Sequence, residues 1–139
     1  MTPLWNEAFG WLWVALGMTF GVWMGLRFRD ESWLGGYGSW PRRMIRLGHI
    51  AMIALGAFNI LFAFSAPRIA FGAPWPLIAS ASWIAGALLM PAVCFISAHD
   101  KRHARWFALP VIALLLGATI TWTGLLASAL SAASAGGTP

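Results

Sequence analysis

Residues 7–26, 44–65, 76–98 and 106–129 form four long, mostly apolar runs. Each has about the 20 residues needed to cross a hydrocarbon core about 30 Å thick. In lipid, backbone N–H and C=O groups must pair within their own segment, and these runs are too long for barrel strands, so each is expected to be a helix. Of the 139 residues 60% are hydrophobic and 9% charged. A soluble domain carries about 25% charged residues, so this chain lacks a solvated surface. The expected fold is an all-α integral membrane protein, one domain over residues 1–139. Its four transmembrane helices would form an antiparallel bundle of two hairpins. The closing SAASAGGTP, residues 131–139, reads as a flexible tail.

Charge sets the expected orientation. The first connection region carries Arg27, Arg29, Arg42, Arg43 and Arg46, and the third carries Lys101, Arg102 and Arg105. The second holds Arg68 alone, and neither tail has a Lys or Arg. The positive-inside rule then places connections one and three in the cytoplasm and both termini on the outer, periplasmic side of a bacterial inner membrane. Tryptophans agree, with Trp5, Trp75 and Trp122 near the outer interface and Trp33, Trp40 and Trp106 near the inner one. The formal charge of +5 does not point to nucleic acid, because the basic residues border the apolar runs and form no separate face. Arg over Lys, with much Ala, Gly and Trp, suits a GC-rich bacterial genome. No Lys or Arg precedes the first run and Glu7 opens it, so no cleaved signal peptide is expected. Glu7 reads instead as a charge complementing the start of the first helix. The single cysteine, Cys94, excludes an internal disulfide and reads as a small buried hydrophobe.

Association of helices in lipid depends on close packing, which small residues permit. Gly17, Gly21 and Gly25 repeat every four residues, with Gly10 one heptad earlier. This face has two readings, packing within the chain's own bundle or docking to another subunit, and Gly56 marks the second helix in the same way. Pro91 and Pro110 are expected to bend their helices. Thr121 shares a face with Gly117 and Gly124, and is expected to bond locally or across a helix pair.

Two polar residues interrupt the second run, His49 and Asn59. With Met52, Gly56 and Ala63 they share one helical stripe, which must face protein, because an unpaired imidazole or amide among acyl chains is costly. His99 and His103 belong to the same expected end as His49, beside Asp30, Glu31 and Asp100. His49, Asn59, His99 and His103 are thus the candidate cofactor-binding residues. Imidazoles here could ligate haem iron or donate to a quinone carbonyl. No metal-binding sequence motif occurs, and no metal site is assigned. Arg42, Arg43 and Arg46 read as contacts to anionic headgroups, at about 1 kcal/mol each.

No nucleotide loop, nucleophile elbow or mid-membrane carboxylate pair is present. The leading expectation is a non-catalytic accessory or assembly subunit of a larger, respiratory-type membrane complex, with other membrane subunits or further copies of the chain as partners in the bilayer. A small haem- or quinone-binding electron-transfer subunit using His49, and an oligomeric solute or metal transporter, stay open beside it.

Overall fold

The computed structural model describes residues 3–135. They form α1 (Pro3–Arg27), α2 (Trp40–Ser65), α3 (Trp75–His99) and α4 (Ala108–Ala135). All four are long and apolar enough to cross a membrane. Helices α1 and α2 start four residues before the apolar runs, because hydropathy marks what lipid tolerates and not where helical bonding begins. At α2 the Ser39 hydroxyl caps the Arg42 amide at 3.3 Å, and Pro41 takes a first-turn position where a missing N–H does no harm. Since α1 begins at Pro3, Glu7 lies in its second turn, so the expected charge at the helix start is not there. Ahead of α4, KRHARWF is a 3-10 segment, Lys101–Phe107, capped where Asp100 Oδ1 accepts from the Arg102 amide at 2.9 Å. At the other end, residues 131–135 continue α4 instead of fraying as a tail, with the Ser131 and Ser134 hydroxyls bonded back to the helix carbonyls of Ala127 and Ser131. The rest of the expected tail, 136–139, lies outside the described residues. Helix α3 runs on through the buried Pro91, and Pro110 sits in the first turn of α4.

Successive helices run antiparallel. Asn6 meets Asn59, Gly17 meets Met52 and Gly21 meets His49 between α1 and α2. Gly48 meets Phe95 between α2 and α3, and Gly86 meets Leu114 between α3 and α4. The helices pack in series, α1 on α2, α2 on α3 and α3 on α4, while α1 and α4 hardly touch. The bundle is therefore an open row and not a closed square. Helix α1 buries just Asn6, Gly10, Gly17 and Met24, whereas α2 and α3 are covered on two sides. Helices α1 and α2 approach backbone to backbone, where a Cβ on Gly10 would stand 2.6 Å from the Gly56 carbonyl oxygen. Gly17 and Gly21 face α2 as well, but Gly25 has nothing within 4 Å of a Cβ position.

The two ends of the row differ. At the end holding the chain termini, Ile69 and Phe71 of the second connection fold over Gly124, and the Ser128 hydroxyl donates to the Arg68 carbonyl. At the opposite, basic end, the first connection makes a 3-10 turn at Trp33–Gly35, with Leu34 left-handed at φ 57° and ψ 28°. A branched side chain is strained there. The Ser39 hydroxyl fixes the turn by donating to the Leu34 carbonyl at 2.6 Å.

Candidate functional site

Asn59 does not join the histidines. It lies toward the termini end, fully buried, in a cluster with Asn6 of α1 and Ser80 of α3. The Asn6 amide nitrogen donates to Asn59 Oδ1 at 2.9 Å and to the Ser80 carbonyl at 3.2 Å, and the Ser80 hydroxyl donates to Asn6 Oδ1. The Asn59 nitrogen donates to the carbonyls of Leu55 at 2.9 Å and Trp83 at 3.2 Å. Both amides thus use both N–H groups and their oxygen, so this buried polar site is internally complete. Trp83 carries the chain of bonds onward, its indole N–H donating to Thr121 Oγ1 at 3.1 Å, while Thr121 donates to the Gly117 carbonyl at 2.7 Å. One polar thread therefore ties all four helices. Trp83 also stacks on Phe58, with centroids 5.8 Å apart. Every amide hydrogen and both amide oxygens of the cluster are engaged within the chain, so its role is to tie the helices together.

From mid-depth to the basic end the situation reverses. Among the described residues, four buried polar atoms there have no hydrogen-bond partner: Trp13 Nε1, His49 Nδ1, Arg42 Nε and Ser97 Oγ. His49 leans on α1, and a Cβ on Gly21 would stand 2.5 Å from its Cε1. Glycine at 21 is what lets the imidazole pack on the α1 backbone. The other neighbouring ring is Phe20, 6.3 Å away by centroids.

Phe20 belongs to a groove of about 440 Å³ whose walls are Trp13, Leu16, Thr19, Phe20 and Trp23 of α1, Met52 of α2 and Phe95 of α3. Small-molecule sites span about 300–1,000 Å³. Phe20 packs on Trp23 and on Phe95, each at 5.3 Å, so these three rings form one contiguous aromatic patch of the wall. The groove is open along the side of the row, where Leu16 and Trp23 are exposed. Trp13 contributes a wall and an unpartnered indole N–H, and His49 stands one turn before Met52 on α2. Sequence reading assigned Trp13 no role, because an indole in an apolar run looks like any packing residue until its N–H is seen to lack a partner.

The other expected site residues scatter. His99 is exposed at the end of α3. His103 Nδ1 lies 3.3 Å from the Asp100 carbonyl and its ring meets Trp106 edge-on. Among the described residues no three His, Cys, Asp or Glu side chains could hold a metal ion. Arg43 is exposed and Arg46 half-buried, whereas Arg42 is 3% exposed. Its Nη atoms donate to the carbonyls of Glu31 at 3.0 Å and Phe28 at 3.4 Å, and its guanidinium lies over the rings of Phe28, Trp33 and Tyr37 at 4.5, 5.9 and 5.8 Å. A basic residue beside an apolar run gives no sign of such enclosure, because the rings come from a connection that folds back over it. At the same end the Trp40 indole ties α2 to α3 by donating to the Ser97 carbonyl at 2.7 Å. Cys94 is fully buried and free. Comparison of the chain with protein-family models, curated proteins and solved structures returns no match.

Proposed function

We propose that this chain is a small bacterial inner-membrane subunit that holds a quinone-type lipid, a ring with carbonyl oxygens on an apolar tail, in the groove of α1, α2 and α3 on the cytoplasmic side. The observation that carries this reading is the pair of buried, unpartnered nitrogens, Trp13 Nε1 on a residue of the groove wall and His49 Nδ1 on a ring that neighbours the wall residue Phe20. A buried donor or acceptor without a partner costs about 1–3 kcal/mol. A quinone carbonyl accepts from an N–H, its ring stacks on aromatic walls, and its tail is at home in acyl chains. Haem suits the site less well, because the His49 ring is pressed against the α1 backbone at Gly21.

The experiment is purification in mild detergent from quinone-containing membranes, with extraction and counting of quinone per chain. Near-stoichiometric retention in the wild type is expected, falling about two- to tenfold in Trp13→Phe and in His49→Leu, as loss of one hydrogen bond of about 0.5–1.5 kcal/mol implies. Quinone-free protein whose tryptophan fluorescence ignores added short-chain quinone would end this reading.

The open row favours a second reading alongside it, assembly into a larger complex. Trp11, Met18 and Val22 on the outer face of α1 are at least 60% exposed, and α4 ends the row with a comparably bare face. Comigration with larger subunits on native separation is the expected outcome, and a strictly monomeric particle would count against it.

A further inference from the structure

We infer that Arg42 marks a second site, at the cytoplasmic interface, for a phosphate-bearing anion. The chemistry is that of a phosphodiester or phosphate group, supplied by an acidic lipid headgroup or by a soluble phosphate. Arg42 lies one turn into α2, opposite Phe28, which follows the end of α1. This is the level where the chain leaves its apolar spans, and the phosphates of a bilayer stand at such a level. Arg42 is 3% exposed. The hydrogen bonds it makes go to two neutral carbonyls, and Nε has no partner. Of five guanidinium N–H groups, at least the one on Nε is unused, and an enclosed cation calls for an anion. Ring faces compensate in part.

A cavity of about 480 Å³ opens beside it, lined by Phe28, Glu31, Tyr37 and Arg42. A second guanidinium flanks it, because Arg46 lies 4.3 Å over the Tyr37 ring and donates to the Tyr37 carbonyl at 3.4 Å. The nearby Asp30 is turned to Ser32, its Oδ1 accepting from the Ser32 amide at 2.9 Å and the Ser32 hydroxyl at 2.7 Å, and the charges of Asp30 and Arg42 act on each other as a minor contribution without a hydrogen bond between them. Arginine suits the task because its planar fork, with Nε and one Nη side by side, matches two phosphate oxygens. The site differs from diffuse basic attraction to a surface in depending on Arg42 far more than on the exposed Arg43.

The test uses the full chain in neutral detergent, titrated with dioctanoyl phosphatidylglycerol, inorganic phosphate and dioctanoylglycerol, and read by tryptophan fluorescence and by native mass. Saturable binding of phosphatidylglycerol over dioctanoylglycerol is expected, weakened at least tenfold by Arg42→Gln and less than about twofold by Arg43→Gln, as charge-assisted bonds imply. Displacement of the lipid by equimolar inorganic phosphate assigns the site to a soluble phosphate. Indifference to inorganic phosphate assigns it to a headgroup. Should Arg42→Gln fail to fold, Arg42→Lys decides, since it keeps the charge and loses the fork. A tenfold loss then upholds the site and unchanged affinity overturns it. Equal binding of the charged and uncharged lipids, or equal losses at positions 42 and 43, overturns it as well.

Discussion

The two ends of the row treat buried polarity in opposite ways. Toward the termini, Asn6, Asn59 and Ser80 close on one another and leave no amide hydrogen or oxygen idle. From Trp13 down to the basic end, an indole, an imidazole, a guanidinium and a hydroxyl each have one buried atom unmatched among the described residues. Complete networks fix register and rigidify, whereas incomplete ones are where a missing partner is to be sought. The contrast separates a half whose buried polar groups are matched within the chain from a half where, among the described residues, four buried polar atoms are not.

The largest expected effect breaks the first half. Gly10→Ala puts a Cβ 2.6 Å from the Gly56 carbonyl, a backbone atom that cannot step aside. Helices α1 and α2 must then part, and with them Asn6 and Asn59. A loss of roughly 3 kcal/mol, the upper range for overpacking, is expected in denaturant unfolding in detergent micelles. Gly25→Ala is the matching change at the other end, where nothing lies within 4 Å, and it should be neutral or slightly stabilising. Equal losses from the two would mean that the glycine face does not discriminate the ends.

Asn59→Leu comes next. It removes the acceptor of Asn6 and abandons the carbonyl of Trp83. Interhelical bonds of this kind contribute about 0.6–2 kcal/mol each in membranes, and a stranded buried partner about 1–3. We expect a loss of roughly 2 kcal/mol. His49→Leu serves as the opposing measurement. It deletes a buried ring nitrogen that lacks a partner in the chain, so stability should stay within about 1 kcal/mol while quinone retention falls. A large loss of stability at position 49 without any change in bound ligand would move His49 into the structural half and erase the distinction.

How much of this the sequence disclosed depends on what kind of force was at work. Span number and helicity follow from hydropathy, because lipid leaves the backbone no alternative. Asn59 was visible as a polar residue that had to face protein, and the shared stripe with Met52 and Gly56 is buried as expected. Its partners were hidden. Asn6 precedes the first apolar run as hydropathy draws it, although α1 starts at Pro3 and buries it completely. Ser80 looked like one more small residue. Which of them meets Asn59 depends on the register between helices, which the Gly10–Gly56 contact fixes and no single helix encodes. The histidine grouping fared differently, since sharing an end of the molecule is a one-dimensional property. His49 packs into α1, His99 points out from the end of α3, and His103 sits on its own turn. The enclosure of Arg42 was equally illegible, since it depends on Leu34 taking a left-handed conformation that folds the connection back.

The smallest effect concerns that connection and tests whether the basic end is locally well satisfied even where its deeper groups are not. Asp30 is held below its ordinary value of 3.8, first by the Ser32 hydroxyl and then by the Ser32 amide, with a minor contribution from the Arg42 charge. A carboxyl depressed on folding contributes stability that is present above its unfolded pKa and is lost as pH falls through its folded one. Being fully exposed, Asp30 should leave the unfolding midpoint at pH 7 unmoved, and acidification should loosen just the connection. Ser32→Ala removes the largest cause and retains the amide, so the titration of Asp30, followed by NMR, should shift upward but not return fully to normal. No shift would mean that the turn is not held by this pair. A return to normal together with loss of bound phosphatidylglycerol would tie the loop and the Arg42 cavity into one unit, drawing the boundary between the two halves closer to the membrane surface than the hydrogen bonds alone suggest.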